Sequence, residues 1–246
     1  MDRMLYIAMT GATQTLLAQA ANTNNLANAT TAGFRADFEA FRAMPVFGDG
    51  YPSRVYAMGE RPGVDLSAGA VTATGRDLDI AINGDGWIAV QGADGKEAYT
   101  RAGDLRLDSN GVLVNGAGHP VLGNNGPIAV PPSEAFEIGV DGTITIKPTG
   151  QSATSLTVLD RIKLVNPPKA DLIKGADGLM HLKDDQPASA DANVRLITGS
   201  LEASNVNAVD AMVNMITLSR QFEMQVRAMR TTQEDDQSAA QLLRIS

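Results

Sequence analysis

Apolar residues recur at three- and four-residue steps near the C-terminal end of the chain, from Gly199 to about residue 243. This stretch contains no proline and no glycine after Gly199, and Asn207 stands where a side chain caps a first helical turn. The pattern predicts one amphipathic helix of about 50 Å at 1.5 Å per residue. Its expected apolar stripe comprises Val206, Val209, Met212, Val213, Ile216, Phe222, Val226 and Met229. A stripe of this length needs a partner that covers it.

A second helical pattern begins near residue 2, with apolar or small residues at Leu5, Ala8, Ala12 and Leu16. Asparagines crowd the end of this pattern, at residues 22–28, although asparagine is a poor helix former. Two interpretations stay open. The helix frays toward a left-handed stop at Gly33, or the amides form hydrogen bonds to neighbouring chains.

The middle of the chain has a different pattern. Proline and glycine interrupt any period over residues 34–76, which predicts an extended connector. Short apolar runs then alternate with turn signals such as Asn110-Gly111 and Asp141-Gly142, which are typical of β-hairpins. We therefore expect an all-β module in this region.

These patterns predict an α+β protein in which long N- and C-terminal helices pair as a coiled coil, with a central all-β domain inserted between them. The expected segments are an N-terminal helix over 1–33, the connector over 34–76, a β-rich domain over 77–199 and a C-terminal helix over 200–246.

Composition narrows the function classes. The net charge of −8 and the pI of about 4.7 disfavour nucleic-acid binding, because no basic field exists to displace counterions from phosphates. The chain has no cysteine and no apolar run of the roughly 20 residues that a membrane helix requires. We therefore expect no direct insertion into a membrane. Its first residues do not resemble a cleavable signal peptide, so if the protein leaves the cytosol, we expect it to do so by another route.

No catalytic or metal-binding pattern stands out. The two histidines, His119 and His181, lack partners at the spacing of a zinc site, so we expect neither a metal nor a cofactor. A secreted enzyme with a β-rich insert is one alternative, and its carboxylate pairs would be Glu97 with Asp104 or Glu134 with Glu137. A surface-binding module is another, but the aromatic content of 4% offers it few exposed rings.

Three motifs in order along the chain resemble the signatures of bacterial flagellar basal-body rod and hook proteins. They are NNLANATTAGF at 24–34, TRAGD at 100–104 and GSLEASNVN at 199–207. Leu105 departs from the phenylalanine that usually follows the central motif. The opening residues, 1–12, are most similar to those of proximal rod members of this family, with the distal rod members as the alternative.

The resemblance implies a non-catalytic subunit that assembles helically, with itself and with other proximal and distal rod proteins, into the drive shaft that crosses the periplasm. It also implies export through the flagellar type III apparatus and a place in the flagellar basal body. The candidate assembly residues, from the helical stripes and the motifs, are Leu5, Ala8, Ala12, Leu16, Asn24, Asn25, Leu26, Asn28, Gly33, Phe34, Glu202, Ser204, Asn205, Val209, Met212, Ile216, Phe222, Val226 and Met229.

Overall fold

The computed structural model describes residues 4–45, 55–148 and 157–245. The chain divides into two compact units. One unit consists of Met1–Asn28, Asp37–Gly63 and Val206–Ser246, and the other consists of Ala29–Ala36 and Val64–Asn205.

The first unit contains two helices, α1 (Met4–Ala27) and α2 (Ala208–Ile245), and a two-stranded sheet of β1 (Asp37–Pro45) and β2 (Val55–Val64). The helix α2 begins where the sequence predicts it. Its cap is Asn207, whose Oδ1 accepts a hydrogen bond from the backbone N–H of Val209 at 3.0 Å. None of the helices in the described residues combines the length and the apolar character that crossing a membrane requires.

The prediction of a coiled coil is wrong. The helices α1 and α2 contact each other, but the residues that α1 buries are small: Ala8, Ala12, Thr15 and Ala18. A coiled coil would instead bury large apolar side chains as knobs in holes. Leu16 is 49% exposed and Ile216 is 56% exposed, so these two large residues of the predicted stripes lie outside the seam.

Helix geometry explains this error. At about 100° per residue, Phe222 lies about 240° around α2 from Ile216, so the apolar positions that follow Ile216 occupy a different face. The two helices also differ in length, since α1 has 24 residues and α2 has 38. Three- and four-residue spacing alone therefore overstated the continuity of the stripe. The α+β class stands, with two helices in the described residues and a mostly β central region.

The second unit is built from short strands, as the sequence predicts. Its strands are β3 (Val71–Ala73), β4 (Ile80–Asn83), β5 (Trp87–Gln91), β6 (Glu97–Thr100), β7 (Arg106–Leu107), β8 (Leu113–Val114), β9 (Leu122–Gly123), β10 (Gly126–Pro127), β11 (Ser133–Ile138), β12 (Thr143–Pro148), β13 (Thr157–Arg161), β14 (Leu164–Val165), β15 (Leu172–Lys174), β16 (Met180–Leu182), β17 (Arg195–Thr198) and β18 (Ser200–Glu202), with a 3₁₀ turn at Lys169–Asp171. The predicted hairpins at Asn110-Gly111 and Asp141-Gly142 are confirmed, since they join β7 to β8 and β11 to β12.

The strands form a five-stranded antiparallel sheet in the order β14-β5-β6-β16-β15 and a three-stranded antiparallel sheet in the order β11-β12-β13. Four two-stranded pairs, β3–β18, β4–β17, β7–β8 and β9–β10, complete the unit. Two of these pairs, β3–β18 and β4–β17, join the start of the β-rich region to its end.

Successive residues of β5 point to opposite faces of the sheet and divide the apolar core into two clusters. Ile88 and Val90 enter the larger cluster, whereas Trp87 and Ala89 enter the smaller one. The smaller cluster also contains Tyr99 and is completed by Leu122, Val165, Leu172 and Met180.

Candidate functional site

Residues from all three signature motifs meet in the second unit. Arg35 follows the first motif, Arg101 belongs to the central motif, and Glu202 belongs to the last one. Their side chains form a buried ion cluster, Arg35–Glu202–Arg101, which we call the clasp. Arg35 is 3% exposed, Arg101 4% and Glu202 1%, so all three charges lie out of contact with bulk water.

The Glu202 carboxylate accepts three hydrogen bonds. Arg35 Nη2 donates to Oε1 at 2.6 Å, and Arg101 Nη1 donates to Oε2 at 3.0 Å. The backbone N–H of Gly69 also donates to Oε1, at 2.8 Å. The backbone carbonyl of Glu202 accepts a further bond from the N–H of Gly33 at 2.8 Å. Glu202, in β18, therefore binds segments that are far apart in sequence.

The clasp holds one more cation than anion, and Trp87 provides part of the compensation. The Cζ atoms of Arg35 and Arg101 lie 5.8 and 5.4 Å from the centroid of its ring, within the range of cation–π attraction. Arg101 Nη2 also donates to the carbonyl of Gly84 at 2.7 Å. Burial lowers the pKa of Arg101 from its ordinary value, and the Glu202 carboxylate opposes that shift.

Close backbone approach around the clasp requires glycine at two positions. A Cβ on Gly33 would lie 2.2 Å from the carbonyl carbon of Arg101, and the φ of Gly33 is +66°. A Cβ on Gly69 would lie 1.9 Å from the carbonyl oxygen of Ala203. No side chain fits at either distance, so the glycine of the first motif lets that motif lie directly against the central one.

Asn205, another residue of the last motif, links two further segments. Its Oδ1 accepts from the N–H of Ala36 at 2.8 Å, and its Nδ2 donates to the carbonyl of Asp65 at 2.9 Å. Phe34 accepts a bond from the backbone N–H of Asn205 at 3.3 Å, and Lys174 Nζ lies 3.9 Å from the centroid of the Phe34 ring. Gly33, Phe34, Glu202 and Asn205 thus lie together in one unit.

The remaining candidate assembly residues lie mainly on the helices. Leu5, Leu16, Asn24, Val209, Met212 and Ile216 are exposed. Ala8 and Ala12 are buried against α2. Asn25, Leu26, Asn28, Ser204, Phe222, Val226 and Met229 are half-buried.

Two asparagines near the end of α1 form hydrogen bonds within their own unit. Asn25 exchanges two bonds with the backbone of Asp37, which donates to Asn25 Oδ1 at 2.9 Å and accepts from Asn25 Nδ2 at 3.0 Å. Asn22 Nδ2 donates to the carbonyl of Ala211 at 2.7 Å and so links α1 to α2. These asparagines lie within a helix that continues to Ala27.

In the described residues, the carboxylates of the enzyme alternative do not converge on a site. Glu97 pairs with Lys163 at 2.7 Å instead of facing Asp104. Glu137 is exposed on β11, and the side chain of Glu134 lies outside the described residues. No group of three or more potential metal ligands occurs in the part of the chain that the structure describes.

The sequence patterns missed Arg35, Gly69 and the role of Arg101. Arg35 directly follows the first motif and Arg101 lies inside the second, and each is a charged residue next to small or apolar neighbours. That arrangement was the available signal for burial. It could not identify a partner, because Glu202 is 167 positions away from Arg35.

Two family models match the chain. One, described as flagellar basal body rod FlgEFG protein C-terminal, matches residues 197–242, and another, described as flagellar hook protein FlgE/F/G D1 domain, matches residues 81–146. The flagellar basal-body rod protein FlgF of Escherichia coli K12 is 43% identical over 100% of both chains, and that of Salmonella typhimurium is 40% identical over the same shares. The flagellar basal-body rod protein FlgG of Bacillus subtilis is 33% identical over 90% of this chain and 91% of its own.

Proposed function

This chain belongs to the FlgF family of flagellar basal-body rod proteins and is a structural subunit of the rod, and from that premise we propose how it assembles. The exposed apolar faces of α1 and α2 are its contact surfaces for neighbouring rod subunits. Assembly through such faces gives the chain a mechanical role in a helical shaft, without a catalytic step.

The observation that carries the proposal is the apolar exposure of α1. This helix contains no charged residue over Met4–Ala27. It exposes Tyr6 and Leu17 on the side opposite its small-residue seam, and Leu5, Met9 and Leu16 along one flank of that seam. Apolar surface of this kind, on a helix without charges, is typical of a face that another protein covers.

The first two turns of α2 carry a second surface, formed by Val209, Met212, Val213 and Ile216. These residues recur at positions i, i+3, i+4 and i+7, so they share one face. They are exposed, whereas Ala211 is buried. We define these four residues as the outer patch of α2.

The two surfaces differ from each other, so contact between them on successive subunits is heterologous. Heterologous contacts that do not close generate helical filaments, which is the geometry of a shaft. In this proposal the subunits transmit torque across the periplasm, the partners are rod subunits of the same and related kinds, and delivery occurs through the flagellar type III export apparatus. We assign the β-rich region to the outer domain of the shaft and the terminal helices to its axial core. The boundaries between these segments lie near the predicted positions 33, 76 and 199.

We place the chain in the proximal rod, because the FlgF proteins of Escherichia coli and Salmonella typhimurium are 43% and 40% identical to it, against 33% for the FlgG protein of Bacillus subtilis. Localisation to the flagellar basal body follows from the family.

The test introduces a charge into the outer patch. Ile216→Asp should prevent incorporation into the rod and abolish swimming in cells that lack their own copy, because a carboxylate buried at a subunit contact has no partner. Asn214→Asp is the matched control: it adds the same carboxylate to an exposed position two residues away and should leave swimming intact. Purified basal bodies are probed for the subunit, and the melting temperature of each purified variant checks its fold. Incorporation of a folded Ile216→Asp variant at the parent level would refute the proposal.

A further inference from the structure

We propose that Glu202 is a latch for the β-rich unit. Its carboxylate keeps the clasp closed, and loss of its negative charge opens one edge of the unit, formed by residues 29–36, 64–73 and 199–205, while the larger apolar cluster stays folded.

The clasp contains two guanidinium groups and a single carboxylate, all at least 96% removed from solvent. The Nε atoms of Arg35 and Arg101 are buried and form no hydrogen bond within the described residues, so these cations depend on Glu202, on the Trp87 ring and, for Arg101, on the carbonyl of Gly84. A buried cation that has lost its counter-charge costs several kcal/mol, and here a single change would leave two. Opening the edge to water then becomes the state of lower free energy.

The edge segments are joined to one another by a small set of bonds, and most of them involve the last motif. Besides the bonds of Glu202 to Gly33 and Gly69, they include the N–H of Ala203 to the carbonyl of Ala70 at 2.8 Å and the bonds of Asn205. Loss of one charge therefore weakens several segments together, as in a cooperative local opening.

The clasp lies against Trp87, which belongs to the smaller apolar cluster. The larger cluster, which contains Ile88 and Val90, draws on β5 through the opposite face of the sheet and includes no clasp residue. The larger cluster therefore keeps its contacts when the edge opens.

The latch has a consequence along the chain. Arg35 and Glu202 lie close to residues 36 and 205, where the chain leaves the β-rich unit. A closed latch holds these two exits next to each other, and an open latch releases them. The inference rests on the β-rich unit alone and does not depend on rod assembly.

Hydrogen exchange of the purified full-length chain, followed by mass spectrometry, tests the latch. In Glu202→Gln, peptides that cover 29–36, 64–73 and 199–205 should exchange about a hundredfold faster or more than in the parent, because breaking a buried ion pair costs about 3–5 kcal/mol. The backbone amides of Ile88 and Val90, in β5, should exchange at the parent rate. The fluorescence of Trp87, the one tryptophan of the chain, should shift to longer wavelength. Unchanged edge peptides, or equal acceleration of all peptides, would overturn the proposal.

Two further variants separate the charge from ordinary damage. Glu97→Gln makes the same chemical change in another ion pair of this unit, with Lys163, and should leave the edge peptides at the parent rate. Arg101→Met should slow edge exchange when it is added to Glu202→Gln, because it removes one of two uncompensated cations. Additive acceleration in the double variant would contradict a charge latch. If Glu202→Gln does not fold, Glu202→Asp keeps the charge with a shorter reach and should accelerate the edge alone, by about tenfold; no acceleration there would also overturn the latch.

Discussion

Arg35 Nη2 donates a hydrogen bond to Glu202 Oε1 at 2.6 Å, across 167 positions of the sequence. This bond joins the residue directly after the first signature motif to the last motif, and Arg101 of the central motif binds the same carboxylate. Residues in and next to the signature motifs therefore stabilise the β-rich unit through contacts inside it. The exposed helix faces are a separate feature, and the two features predict different consequences of substitution.

Replacing Arg101 by lysine tests the geometry of the clasp at constant charge. Lysine lacks the planar fork that reaches both Glu202 and the carbonyl of Gly84, so Arg101→Lys should lower the free energy of unfolding by about 1.5–3 kcal/mol. Urea titration followed by Trp87 fluorescence measures the loss. Arg106→Lys changes an exposed arginine nearby and should shift the free energy by less than about 0.5 kcal/mol. Equal effects of the two substitutions would show that the fork has no special role.

Substitution of Gly33 tests the close approach of the first and central motifs. Gly33→Ala combines a left-handed backbone with a Cβ placed 2.2 Å from the carbonyl carbon of Arg101. Gly75→Ala has the same type of backbone, with φ +73°, but nothing within 4 Å of the new Cβ. Gly75→Ala should therefore cost only the backbone term of about 1–2 kcal/mol, and Gly33→Ala should cost about 1–3 kcal/mol more. Chemical denaturation of both variants gives the difference, and equal losses would argue against the approach.

The small-residue seam between the helices predicts an unusual order of sensitivities. Ala12→Leu should destabilise the helix pair by about 1–3 kcal/mol, because the enlarged side chain has no room against α2. Leu16→Ala should change the stability of the isolated chain by less than about 0.5 kcal/mol, because Leu16 is half exposed to solvent. Hydrogen exchange of the amides of α2 reports both effects. The reverse order, with Leu16→Ala the more damaging, is what a coiled-coil seam would produce.

Tyr99 predicts how the β-rich unit responds to alkaline pH. Burial raises the pKa of this phenol above its ordinary value of 10.0, and its hydroxyl oxygen accepts a bond from the N–H of Ala188. Because the pKa is raised in the folded state, the contribution of Tyr99 to stability is complete below pH 10.0 and is lost as the pH rises above it. The free energy of unfolding should therefore fall above that pH, and less steeply in Tyr99→Phe. Parallel pH profiles of parent and variant would contradict this account.

Local signals in the sequence identified the elements that depend on neighbouring residues. The cap at Asn207 and the turns at Asn110-Gly111 and Asp141-Gly142 involve side chains within a few positions of the groups they bind. These features are therefore visible in a short window of sequence.

Features that depend on distant residues were not predictable in the same way. The spacing of Val209, Met212 and Ile216 showed that they share a face, but it could not show that this face points away from α1. The seam is instead set by small residues such as Ala8 and Ala12, which carry little weight in a hydrophobic pattern. The clasp depends on pairing between Arg35 and Glu202, and no local pattern encodes such a contact.

A density map of the intact flagellar basal body, resolved to side chains with this chain fitted, tests assembly through the helix faces. Leu5, Leu16 and the outer patch of α2 should lie against neighbouring rod subunits. Arg35, Arg101 and Glu202 should remain paired inside each subunit. A map in which the outer patch faces solvent, or in which the chain lies outside the rod, would rule out assembly through these faces.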